Sequence, residues 1–508
     1  MRPLRHRSFA LLWGAGLVST IGSWMQAVAV GALLISRTGQ ATWAVLVAAA
    51  AFLPIGLLSP VGGALADRVA RRPVLIAGNV AEAAVAFALA ALVGTGHEDP
   101  ALLVALVAVQ GAASAVVGPF QQAILPDLVP PSEFLPAIAL NSAQWNLGRI
   151  AGPALAGGAI AAFGYPLAFD ANAISFLAVV AALLFVRFAP PAGTAGDRLL
   201  ASLRAGLAAA RREPGCWAAI WTIGVVALIA SPFIALVPAM AERVARGAGG
   251  AAPSGRAVAA ATGVLTTAQG IGAVAGAMCL AGLAARFGRG RVLAASLAAF
   301  PLALLVYGSA QSLWWAAAGL FAVGLAYIGV LSGLSLVVQV RAPAAFRGRV
   351  LSLYLVALGV AYPVGALIQG PVADRIGIGW TTTGTALLLI AVLAVAAGLL
   401  PGVRRALFGE APSSLADADG DGDGQAVAAE GVVADPVLAE AVLAAPAAAG
   451  AVAVQAEGGL AVAGDPGEAL AEEIRAGTAG AGLRPASGDA TAPAAAAQPC
   501  SPSGPLAG

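Results

Sequence analysis

Three ionisable side chains stand inside long apolar runs of this sequence: Glu82, Arg149 and Asp170. A charge at the centre of a bilayer costs roughly 2.5 to 3.5 kcal/mol on insertion scales, so such a residue lines a pathway or holds a partner. Arg149, half-way through its run, is read as the counter-charge to an anionic substrate or to a gating carboxylate, with a salt bridge holding the bundle as the alternative. Glu82 is a candidate proton carrier, because burial disfavours the charged form of a carboxylate; a structural role is the alternative. Asp170 falls near the end of its run. Other polar positions scattered through apolar stretches are Gln26, Gln110, Ser114, Gln121, Trp221, Ser231, Tyr327, Ser332, Ser335 and Gln339. Of these, Gln26, Gln110, Tyr327 and Gln339 join Glu82 and Arg149 as the expected proton and substrate pathway. So sparse a polar lining among Ala, Leu and Val suits an amphiphilic cargo better than a sugar, which needs many convergent donors and acceptors.

A second kind of chemistry lies in the turn Gly63-Ala-Leu-Ala-Asp67-Arg68-Val-Ala-Arg71-Arg72. A carboxylate at a helix end can accept from a neighbouring helix N-terminus and from Arg in one conformation and lose those partners in another. That makes a conformational latch of Gly63, Asp67, Arg68, Arg71 and Arg72, the alternative being a topology anchor. The segment returns as Gly282-Leu-Ala-Ala-Arg286-Phe-Gly-Arg289-Gly-Arg291, where Arg286 replaces the carboxylate and only the anchor is expected. A third echo, Gly370-Pro-Val-Ala-Asp374-Arg375, is read as a remnant. Finally, Gly148, Gly152, Pro153, Gly157 and Gly158 gather in one run, where small residues permit close helix contact and the proline a bend.

The elements that must position these residues are membrane spans. The chain has 508 residues, 60% hydrophobic and 10% charged, with mean hydropathy +0.88, whereas soluble proteins carry about 25% charged residues. A helix needs about 20 apolar residues to cross ~30 Å of hydrocarbon. Runs of that length fall near 10–35, 44–66, 73–93, 101–125, 139–162 and 167–188, and again near 217–240, 261–284, 291–309, 313–340, 350–372 and 379–400. The expected fold is therefore an all-α membrane protein of twelve transmembrane helices in two six-helix bundles, over residues 1–188 and 216–402. Between them, 189–215 opens with Pro190-Pro191 and then repeats Leu199, Leu200, Leu203 and Leu207 at helical spacing with Arg204, Arg211 and Arg212, the pattern of a surface-lying amphipathic linker. With the N-terminus inside, nineteen arginines fall on cytoplasmic segments against five outside, which puts both termini in the cytoplasm of a plasma-membrane protein.

Several function classes are excluded. All 27 basic residues are Arg, and a Walker A loop needs Lys, so no P-loop is present. Neither HExxH nor GxSxG occurs, and Cys216, Cys279 and Cys500 make no CxxC pair. Neither an enzyme nor a cofactor is expected. Residues 403–508 form an acidic tail rich in Ala, Gly and Pro, too poor in large apolar residues to offset its chain entropy, and disorder is expected there. Within it, Asp419, Asp421, Asp423 and Glu430 match the spacing of a calcium-binding loop, but Ala426 stands where an aliphatic anchor belongs, so a solvated acidic linker is the favoured reading.

The Gly63 to Arg72 turn resembles the signature between the second and third helices of the major facilitator superfamily, and the six-loop-six layout resembles the same family. Trp24 after Gly22-Ser23, Pro54 and Pro60, Asn141 with Arg149-Ile-Ala-Gly152-Pro153, and Arg347-Gly-Arg349 are similar to its enterobactin-exporter-like branch, the transmembrane secretion effectors. The resemblance covers residues 1 to about 400. It implies alternating access, a latch that favours one access state, and a fifth-helix motif like that of proton antiporters, met imperfectly because Ala156 replaces a glycine. The expected function is proton-coupled efflux of a drug-like or siderophore-like molecule, with the substrate, protons and the bilayer as partners and no nucleic acid. A nutrient importer, or a receptor working through its tail, are the alternatives.

Overall fold

The computed structural model describes residues 2–66, 68–186, 188, 199–247, 252–399 and 401–409, and every ordered element among them is helical. Asp67 and the calcium-loop pattern at Asp419, Asp421, Asp423 and Glu430 lie outside the described residues. The helices are α1 (Arg7–Thr38), α2 (Ala41–Ala66), α3 (Arg71–Gly94), α4 (Pro100–Ala123), α5 (Phe134–Phe163), α6 (Tyr165–Phe185) and α7 (Leu199–Arg212). They continue as α8 (Pro214–Ile229), α9 (Val237–Arg246), α10 (Gly255–Phe287), α11 (Arg289–Gly308), α12 (Leu313–Arg341), α13 (Arg347–Ile376), α14 (Ile378–Leu399) and α15 (Pro401–Phe408).

Ten of these are long and apolar enough to cross a membrane. The expected span at 139–162 is helical as part of α5, but Asn141, Gln144, Asn146 and Arg149 dilute its apolar character. The span expected at 217–240 is not continuous. It stops at Ile229, tightens into a 3-10 turn at Ser231–Ile234, and resumes as α9. Pro232 and Pro238 are the cause, since neither offers an N–H to a helical ladder. The helix ends carry ordinary punctuation. Asp99 caps α4 by accepting from the amides of Ala101 and Leu102, with Pro100 in the first turn, and Gly39 closes α1 in the left-handed region at φ 66°.

Helices α1–α6 pack among themselves, through α1 on α5 and α6, α2 on α4, and α3 on α6. Helices α8–α14 form a similar set, through α10 on α12, α11 on α12 and α14, and α13 on α8. The two largest seams between the sets are α2 against α13 and α5 against α10, and α1 also touches α9 and α10. The outward surface is apolar: Phe185, Met278 and Leu399 are each at least 75% exposed, and Trp314 and Trp380 sit near helix ends, where aromatic rings favour the interface. Helix α7 packs at Gly206 on the start of α13, where an added methyl would meet Arg349 Cβ at 2.9 Å.

Candidate functional site

The glycine-rich α5 sets the geometry of the centre. A methyl group on Gly148 would come within 2.5 Å of Thr20 Cγ2, and one on Gly152 within 2.5 Å of Trp24 Cβ and 2.8 Å of the Ile21 carbonyl. On the other side of α5, a methyl on Gly263 of α10 would meet the Pro153 carbonyl at 2.5 Å, and one on Gly157 would meet Ala260 Cα at 3.3 Å. The expected helix-five residues Gly148, Gly152, Pro153 and Gly157 are thus the surfaces by which α5 approaches α1 and α10 backbone to backbone. Thr267 pins the second contact by donating to the Ile150 carbonyl at 3.3 Å.

Beside this crossing lies a cavity of about 540 Å³ bounded by both sets of helices. Gln26, Gln110, Glu82, Arg149 and Tyr327 all line it, so residues 301 positions apart at the extremes (327 minus 26) converge. Gln339 does not line it; its amide donates to Ser335 one turn back on α12 at 3.0 Å. Trp221 is also elsewhere, 59% exposed on the outer surface of α8 beside Trp217.

Three hydrogen-bonded groups involve lining residues and the buried side chains behind them, while Gln121, Gln122, Asn141 and Gln144 add further amides to the wall. Gln26 donates to the Gln110 side chain and accepts from Asn172 at 2.7 Å, while Ser175 closes the chain on Asn172. Glu82 is buried and accepts from the Ser114 hydroxyl. Tyr327 shares a hydrogen bond of 2.9 Å with Ser231 and stacks in a ring cluster with Phe233 and Phe300, centroids 5.8 and 5.0 Å away. Arg149 is 7% exposed, and among the described residues no ion pair engages it. Trp24 and Trp145 meet edge to face at 5.7 Å beside it. The sequence reading missed Asn172, Trp145 and Gln269. Asn172 and Gln269 are amides inside apolar runs, the same signal that found Gln26.

At the Gly63 to Arg72 turn, Gly63 is buried and Arg68 exposed. Arg71 pairs with Asp127 at 2.8 Å, and Arg72 donates to the Leu184 carbonyl. Both ties stay within the α1–α6 set. On the opposite face, Asp374 at the end of α13 accepts from the Ala41 and Thr42 amides and from the Thr42 hydroxyl, capping the start of α2 across the seam. The expected remnant is therefore an engaged carboxylate at a helix N-terminus, where the macrodipole favours negative charge. On that same face Tyr165 donates to the Gly255 carbonyl at 2.7 Å and Arg256 to the Ala161 carbonyl at 3.2 Å. These three contacts join the two sets at the end where α1 finishes. The cavity runs the other way, from Gly31 and Pro238 down to Phe9 and Leu128.

Comparison with known proteins agrees with this architecture. The multidrug efflux pump Tap of Mycobacterium tuberculosis (strain ATCC 25618 / H37Rv) is 27% identical over 411 residues, 79% of this chain and 94% of that relative. The staphyloferrin A transporter of Staphylococcus aureus is 29% identical over 169 residues, 33% of this chain and 43% of that relative. Among solved structures, the nucleoside transporter NupG superposes with a TM-score of 0.60 at 14% identity, covering 76% of this chain and 99% of that one, a likeness of fold. The description of transmembrane secretion effectors matches residues 1–408. The chain belongs to the transmembrane secretion effector family and is a multi-span transporter of the major facilitator type, not an enzyme.

Proposed function

We propose that this chain is a twelve-span exporter of the plasma membrane, with both termini in the cytoplasm, that moves an amphiphilic small molecule outward in exchange for protons by alternating access. The ten long apolar helices, with α5 and α8 added, make up the twelve. The observation that carries the reading is the cavity itself. It lies between two helix sets, its wall is mainly apolar with polar side chains scattered through it, and its upper limit is a face tied across by Asp374, Tyr165 and Arg256. Such a site at mid-depth between two rocking halves is how secondary transporters expose cargo to one side at a time.

In this reading the Asp374 side is external, and the conformation described is closed there. Asp67 forms the matching carboxylate on the cytoplasmic side, so that Gly63-Ala-Leu-Ala-Asp67-Arg68 and Gly370-Pro-Val-Ala-Asp374-Arg375 are counterparts on opposite faces, each ending one partner of the α2 and α13 seam. Glu82 is the proton carrier. It is a buried carboxylate on the cavity wall whose one neutral partner, Ser114, leaves it able to hold or release a proton. Export is favoured over import by the relative named a multidrug efflux pump, which aligns over most of the chain.

Uptake of candidate compounds into everted vesicles, with and without an imposed proton gradient, tests the proposal. Gradient-dependent accumulation of at least one amphiphilic compound is expected. Accumulation that ignores the gradient for every compound would remove the antiport.

A further inference from the structure

Some polar groups at the cavity are satisfied within the protein: Gln26 donates to Gln110 and accepts from Asn172, and Glu82 accepts from Ser114. Three buried donors are not. Among the described residues, the indole nitrogens of Trp24 and Trp145 and the amide nitrogen of Gln269 are buried without a hydrogen-bond partner, and Gln269 is only 2% exposed. All three side chains line the cavity. So does Arg149, a permanent cation with five N–H donors that no carboxylate neutralises among the described residues.

The four belong to one neighbourhood. Trp24 and Trp145 touch edge to face across the α1 and α5 contact. Gln269 precedes Gly270, whose added methyl would come within 3.0 Å of Ile150 and 3.6 Å of the Arg149 carbonyl. A native interior seldom leaves even one donor orphaned, because a buried polar group without a partner is destabilising. Three unpartnered donors on the cavity wall, beside a guanidinium that no carboxylate neutralises among the described residues, favour an anionic acceptor there.

We propose that the cargo is an amphiphilic organic anion whose carboxylate pairs with Arg149, with Gln269 and the two indole N–H groups completing its hydrogen bonds, and whose apolar body lies against Phe52, Tyr362 and Ile55. This rests on the exporter reading only in taking the cavity as the cargo site. The planar guanidinium matches a carboxylate through two parallel hydrogen bonds, which a neutral amide cannot reproduce. A cavity of about 540 Å³ is of the size that takes drug-sized molecules. Both indole nitrogens are buried, so a cargo that reaches them moves the rings.

The test uses the full chain in lipid nanodiscs, with empty nanodiscs as the partition control, and compares pyrenebutyrate with its carboxamide. Binding of the carboxylate about tenfold or more tighter than the amide is expected for the unaltered protein. Arg149→Gln should abolish that discrimination, and Gln269→Leu should reduce it. Arg149→Lys keeps the charge and loses the fork, so it should retain part of the preference, which separates loss of recognition from loss of fold. Equal affinity for the two probes, no binding of the carboxylate at millimolar concentration, or discrimination surviving in Arg149→Gln would each overturn the assignment. Because binding is read without transport, anion-selective binding with no gradient-driven flux would refute the exporter reading alone, and unselective binding with intact flux would refute the substrate class alone.

Discussion

Asp374 offers the sharpest test of alternating access, because its contribution can be worked from the bonds it makes. It accepts from both amides that open α2 and from the Thr42 hydroxyl, and it reaches them from the other set of helices. Those bonds exist only while α2 and α13 meet on that face. Removing a capping side chain costs about 1 kcal/mol, and losing a negative charge from an exposed helix N-terminus costs about 0.5 kcal/mol more. Asp374→Ala should therefore destabilise the closed face by about 1.5 kcal/mol, a shift of roughly tenfold in the ratio of the two access states. Asp374→Asn retains the acceptor oxygen and loses the charge alone, so about 0.5 kcal/mol and a roughly twofold shift are expected. Spin labels at Thr95 and Gln311, exposed positions on that face in the two sets, allow the populations to be read from pulsed electron spin resonance distances. The long-distance population should grow in the order native, Asn, Ala. Distributions that do not change, or an Asn variant shifted more than the Ala variant, would refute the capping argument.

Three further outcomes are expected. Glu82→Gln should remove proton-driven accumulation in everted vesicles while leaving cargo binding to nanodiscs intact; retained proton-driven flux would take Glu82 out of the proton path. Gly263→Val should lower the melting temperature in detergent, because the Pro153 carbonyl already lies 2.5 Å from where the first added carbon would sit, and overpacking of this kind costs about 1–3 kcal/mol. Gly158→Ala, with nothing within 4 Å, is the silent control. Asp67→Asn should impair transport more than Arg286→Gln, measured as initial export rate, since Asp67 alone can accept from a helix N-terminus; equal effects would reduce the turn to an anchor.

Much of this was legible in the residues. Run length alone located the helices, since an apolar stretch of about 20 residues has few alternatives, and a polar residue within such a run marked Gln26, Glu82, Gln110, Arg149 and Tyr327 for the cavity. What could not be read was rotation about each helix axis. Gln339 and Gln269 give the same signal in sequence, yet one faces Ser335 on its own helix and the other faces the cavity. That difference is set by where glycines let backbones meet, and Gly152 and Gly263 choose partners far along the chain. The interruption after Ile229 was available in Pro232, but an apolar window passes over a proline that adds no polarity. Asp374 was visible as an echo; its partner, 332 residues away, was not.

The α5 and α10 crossing also has a mechanical consequence. Where carbonyl and Cα groups touch directly, as at Pro153 and Gly263, there is no side chain to yield, so the two helices can roll on each other but not separate. In a rolling pair, displacement grows with distance from the line of contact. If the two sets roll about this line, Phe9 and Leu128 at the far end of the cavity would travel farther than Arg149, one helical turn from Pro153. In the proposed cycle the positive charge would then be a nearly stationary point, with the openings exchanging around a cargo that itself moves very little.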